Sequence, residues 1–171
     1  MDAKTWVIRA VLAVDRPRFP SCQSFIESSL MTYRTIDEIE ALVAAFESCT
    51  LPRSCWTHTA HLTLALWYLV HHKPSQAIDC MREGIQRYNA AMGIQQTKNS
   101  GYHETITLFW LWIGLWYLAE QRISALALDE VNQFIQRCSD PQLPLHYYSR
   151  DRLMSWEART DWVEPDLQPL P

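Results

Sequence analysis

Two short stretches bring together residue types that can do chemistry. In Trp56–Leu62, two imidazoles, His58 and His61, stand three residues apart, and in Gly101–Thr107 the run Tyr102-His103-Glu104 sets a phenol, an imidazole and a carboxylate side by side. On a helix, an i, i+3 pair of histidines has Cβ atoms roughly 5–6 Å apart, a separation that suits two ligands of one metal ion. His103 or Glu104 from a facing helix would supply the third ligand, as helical bundles do with inward-pointing side chains. His58, His61 and His103 as ligands of a divalent transition metal would leave an open position for water. Glu104 would then be general base or fourth ligand, and the chemistry hydrolysis. The HExxH zinc-protease pattern is absent, because Thr107 stands where its second histidine would fall.

Two other readings fit the same residues. His103 and Glu104 serve equally as acid, base or ligand anchor in a metal-free pocket, or the set forms a structural hydrogen-bond network. Cys55, three residues before His58, is a lesser nucleophile candidate beside the plainer reading of a free thiol. Glu40, His146 and Tyr147 are further residues that could reach the pocket, with solvated or packing roles as the simpler alternatives.

Polar residues on so apolar a helix carry information. With a step of roughly 100° per residue, His58, His61, Ala65, Tyr68 and His72 fall within an arc of roughly 80°. Leu62, Leu64, Leu66, Trp67, Leu69 and Val70 fill the rest of that turn pattern. Such a stripe must find partners, because each unsatisfied buried group costs about 1–3 kcal/mol. The facing stripe is His103, Thr107, Trp110, Gly114 and Tyr117, in which Gly114 allows close approach. The expected pocket therefore lies between these two helices and is lined by Tyr68, Tyr102, Thr107 and Trp110. Trp112 and Trp116 are further aromatic candidates.

The elements that position these residues read as helices. Thr35-Ile36-Asp37-Glu38 resembles a capping box, and Ile36, Ile39, Val43 and Phe46 follow at helical spacing to about residue 48. A second helix is expected over about 57–72, closed by Pro74. Ser75 would cap a third, whose stripe is Ile78, Met81, Ile85, Tyr88 and Met92, with Asp79, Arg82, Glu83 and Gln86 towards solvent and Gly93 as C-terminal cap. Residues 94–101 form a polar loop, a fourth and central helix covers about 102–121, and a fifth runs from about 124 to 137. The result is an all-α, single-domain bundle of five or more helices over residues 35–160. Residues 1–34 form an N-terminal arm of undetermined structure, and 161–171 an extended, proline-punctuated tail.

Composition narrows the classes. A chain of 171 residues with 48% hydrophobic and 20% charged residues favours one folded domain over disorder. Its 4 glycines, at 84, 93, 101 and 114, fit neither phosphate-cradling loop pattern. A net charge of −4 gives no electrostatic reason for nucleic acid. Five cysteines without a C-x-x-C pair read as free thiols of a reducing cytoplasm. The longest apolar run, Leu108–Ala119, is too short to span a bilayer. Partners are then a small-molecule ligand or substrate, with no nucleic acid and no membrane. The rival to an enzyme is a non-catalytic ligand-binding or oligomerising protein, such as a homodimer that buries its excess Trp and Leu.

The blocks Trp56-Thr57-His58-Thr59-Ala60-His61-Leu62 and Gly101-Tyr102-His103-Glu104-Thr105-Ile106-Thr107 resemble an uncharacterised family of small helical bacterial proteins. That family has an aromatic-x-His-x-x-His-aliphatic block and a Tyr-His-Glu-Thr block. Tyr147-Tyr148-Ser149, Ala158-Arg159 and Val163-Glu164-Pro165-Asp166 resemble its tail, so the likeness covers about residues 54–166. It implies a shared pocket and brings no activity with it.

Overall fold

A computed structural model describes residues 33–171. Apart from Tyr33 and Arg34, the expected N-terminal arm lies outside the described residues. Within them the chain forms seven α-helices and no strand: α1 (Ile36–Glu47), α2 (His58–His71), α3 (Pro74–Ala91), α4 (Glu104–Gln121), α5 (Leu128–Arg137), α6 (Arg150–Leu153) and α7 (Trp156–Thr160). Short 3₁₀ turns at Arg53–Cys55 and Leu143–His146 join the larger elements. The bundle reading is correct.

Local chemistry sets the helix starts. Thr35 Oγ1 accepts the Glu38 amide at 3.3 Å, and the Glu38 carboxylate reaches back one residue further than expected, to the Arg34 amide at 2.8 Å. Thr57 caps α2 by accepting the Ala60 amide at 3.3 Å. Ser75 is not the cap of α3; Lys73 is, and Pro74 takes the first helical position, where its missing N–H leaves no donor unpaired. Tyr102 and His103 lie before α4, with His103 as its cap. The fifth helix begins at Leu128, four residues later than expected, after Arg122 has turned the chain with a φ of 55°.

Helices α2 and α4 are the central pair. α2 packs against α4, α3 and α5, while α1 covers α2 and α3, and α7 closes over α4. Their all-round burial follows from sequence, since Leu62, Leu64, Leu66, Phe109, Leu111 and Ile113 occupy several faces and are all but inaccessible. Gly114 admits Leu69 of α2: a Cβ there would meet Leu69 Cδ1 at 2.8 Å. Gly84 does the same for Phe46, whose ring atoms would lie 2.8 and 3.0 Å from an added Cβ. That ring cannot retreat, because it is fully buried and stacks on Trp56 at 4.9 Å. Gly84→Ala is therefore expected to destabilise by about 1–3 kcal/mol, against a helix-propensity gain of at most about 1 kcal/mol. A urea melt that shows the variant as stable as wild type would contradict this packing.

The tail is extended, as expected, but it belongs to the folded body. Val163 is buried, and its amide donates to Thr105 Oγ1 at 3.2 Å, while that hydroxyl donates to Asp161 O at 2.8 Å. Asp166 accepts from the Ser149 amide and hydroxyl at 2.7 and 2.6 Å, which holds its carboxyl below the usual range. Tyr148 is fully buried and donates to Val163 O at 3.1 Å.

Candidate functional site

The three histidines proposed as metal ligands are spent separately. His58 Nε2–H donates to the Cys138 carbonyl at 2.8 Å, and its ring stands edge-on to Trp110 at 4.8 Å. His61 Nδ1–H donates back to Thr57 O at 2.7 Å, with its ring against Trp56 at 3.8 Å between centroids. His103 uses both nitrogens: Nδ1 accepts the Ile106 amide at 3.3 Å as helix cap, and Nε2–H donates to Leu153 O at 3.0 Å. Among the described residues no group of three or more His, Cys, Asp or Glu side chains is placed to hold a metal ion. The ligand set His58, His61 and His103 is thus not assembled. Its donors were drawn to nearby backbone carbonyls, which residue spacing does not reveal.

Glu104 is also occupied. Arg82 grips it with Nε at 3.1 Å from Oε2 and with Nη2 on Oε1, and Tyr102 donates its hydroxyl to Oε2 at 2.7 Å. Arg82 in turn contacts Asp79 at 3.1 Å. This pair holds Arg82 firmly protonated, and burial beside the carboxylate pushes the Tyr102 phenol up. A carboxylate clamped on both oxygens is poorly placed as general base, so Glu104 anchors the start of α4 and Arg82 does not face solvent as expected. His103, fully engaged as a cap, is likewise not placed as a catalytic group.

What the two stretches do build is a cavity of about 220 Å³ between α2, α3 and α4. Of the residues expected to line a pocket, Tyr102, Thr107 and Trp110 do so, together with His61 and His103. Tyr68 does not; it points towards α1 and donates to Glu47 Oε1 at 3.1 Å. Trp112 and Trp116 are absent from the cavity wall, and Glu40 and His146 are exposed. Tyr147 packs on Phe109 at 5.6 Å.

Six wall residues escaped the sequence reading: Trp56, Met81, Ile85, Asn89, Gly101 and Ile106. Asn89 of α3 is 8% exposed, and among the described residues its side-chain amide has no hydrogen-bond partner. Its angle on α3 falls beside the apolar stripe, within roughly 20° of Ile78, and that polar intrusion was the available signal. Trp56 forms another part of the wall. Among the described residues, His61 Nε2 is the second uncommitted polar atom. Donation from Nδ1 to a carbonyl, an acceptor only, leaves Nε2 with its lone pair. Burial lowers the pKa of His61 to about 4, so the ring is neutral at ordinary pH.

The loop before α4 is braced from two sides. Gln96 bonds both the amide and carbonyl of Tyr102, at 2.8 and 2.9 Å. Buried Arg159 of α7 donates to the carbonyls of Lys98, Ser100 and Tyr102 at 3.0, 3.4 and 3.2 Å. Its charge, after burial itself, helps lower the pKa of His103 to about 4.

Compared with known proteins, the chain matches no family model, no curated protein and no solved structure. No helix among the described residues is long and apolar enough to cross a membrane.

Proposed function

We propose that this protein binds a small molecule in the cavity between α2, α3 and α4, as a ligand-binding module rather than through acid–base catalysis. One observation carries the reading: a mostly apolar, aromatic cavity contains a few polar groups, Asn89 and His61 Nε2, that no group among the described residues satisfies. A general base works best with a pKa near the working pH. His61, at about 4, is a good hydrogen-bond acceptor and a weak base. The expected metal-dependent hydrolase finds no support in the donor geometry. The described cysteines, Cys49, Cys55, Cys80 and Cys138, are all free, which favours the expected cytoplasmic setting.

The test is a ligand-observed NMR screen of neutral and charged fragments against wild type and an Ile106→Trp variant that fills the cavity. Hits on wild type that vanish in the folded variant support the reading. A screen without hits, or hits indifferent to Ile106→Trp, overturns it.

A further inference from the structure

The cavity also constrains its occupant. We infer that it takes a neutral, flat, bicyclic heterocycle with an amide-type edge, a carbonyl flanked by N–H. This rests on the small-molecule reading above and adds the ligand class.

Size comes first. An apolar cavity of about 150 Å³ accommodates one benzene. By proportion, 220 Å³ accommodates roughly nine non-hydrogen atoms, which is two fused rings. Shape follows from the walls: Trp110 contributes an aromatic surface, Trp56 closes the wall with its ring packed on Phe46 and His61, and Met81, Ile85 and Ile106 are apolar.

Charge is the sharper filter. Among the described residues, no Asp, Glu, Lys or Arg lines the cavity. Of the ionic groups beside the wall, Glu104 is neutralised by Arg82 and capped by the Tyr102 hydroxyl, and Arg159 is engaged by the carbonyls of Lys98, Ser100 and Tyr102. His103 has no free nitrogen, and His61 is uncharged. An anion or cation entering this space would lose its water without gaining a counter-charge, a far greater cost than leaving a neutral amide unpaired.

Hydrogen-bond type completes the specification. Asn89 offers one carbonyl acceptor and one NH₂ donor on the same edge, the complement of a cyclic amide. His61 Nε2 can only accept, so it calls for a further N–H on the ligand. Benzimidazolone carries this pattern, with two N–H groups flanking one carbonyl on a fused bicycle. Indane keeps its size and shape without the polar edge.

Isothermal titration of the full chain with benzimidazolone, indane, indoleacetate and tryptamine separates the alternatives. Benzimidazolone is expected to bind at least about tenfold more tightly than indane, the value of one to two net hydrogen bonds. Asn89→Leu, checked for folding by circular dichroism, is expected to erase that preference while indane still binds. His61→Phe is expected to reduce it by a smaller factor. The inference is overturned if either charged probe or indane binds as tightly as benzimidazolone, or if folded Asn89→Leu keeps the preference. Such results would leave the cavity a ligand site of another class. If none of the four probes binds, the inference also fails, and the fragment screen decides whether the small-molecule reading fails with it.

Discussion

Acidification from pH 7 to pH 4 is expected to remove on the order of 5 kcal/mol of stability through His61 and His103 alone. Both rings have a pKa of about 4 in the folded chain, His61 through burial and His103 through burial and the charge of Arg159. An unfolded histidine titrates near 6.5, so the unfolded chain binds protons that the folded chain refuses. Stability from these groups is complete above about pH 6.5 and is lost as the pH falls towards 4. The gap is worth about 3 kcal/mol for buried His103, and less for His61, which is only partly buried. Since whole domains are stable by about 5–15 kcal/mol, this loss is large enough to unfold the protein under mild acid. Urea midpoints at several pH values measure it. His103→Asn, which retains a capping side chain, should be the less stable protein at pH 7 and should close that gap by pH 4. Parallel pH profiles for variant and wild type would count against the account.

Removing the guanidinium of Arg82 is the second large effect. Arg82→Met leaves the Glu104 carboxylate, with only 8% of its side chain exposed, supported by Tyr102 alone. Breaking a fully buried pair costs about 3–5 kcal/mol. Arg82 retains 27% exposure, so water can partly replace it, and about 2–4 kcal/mol is expected here. Adding Glu104→Gln removes the stranded charge and keeps an acceptor for Tyr102, so the double variant should regain most of the loss. A single variant within about 0.5 kcal/mol of wild type in chemical denaturation would show that the pair does not hold α4 in place.

Much of the architecture was legible in the sequence because the strongest signals were local. α2 and α4 announce themselves by apolar residues on every face, and Gly93 ends α3 with a φ of 68°, at the expected position. The place of the cavity was also legible: His61, Thr107 and Trp110 belong to the facing stripes and line it together. Its chemistry was not. Each imidazole had two nitrogens to satisfy and found backbone carbonyls at Thr57, Cys138 and Leu153. Every residue type supplies a carbonyl, so sequence cannot reveal which one will be near. Arg82 failed differently. Helical periodicity places it at the edge of a stripe, but the length of its side chain lets it turn inward to a carboxylate 22 residues away.

The Arg159 clamp has a consequence for how the cavity comes into being. Its guanidinium grips carbonyls of residues 98, 100 and 102, which lie 57 to 61 positions earlier in the chain. Closing so long a loop has an entropic cost that is recovered only when both ends are docked. The cavity wall at Gly101, Tyr102 and His103 is therefore a late product of folding, set after α7 has reached the bundle. During synthesis the chain would hold the helices of the site long before it held the site itself. Ligand affinity would then report on completed folding rather than on helix formation.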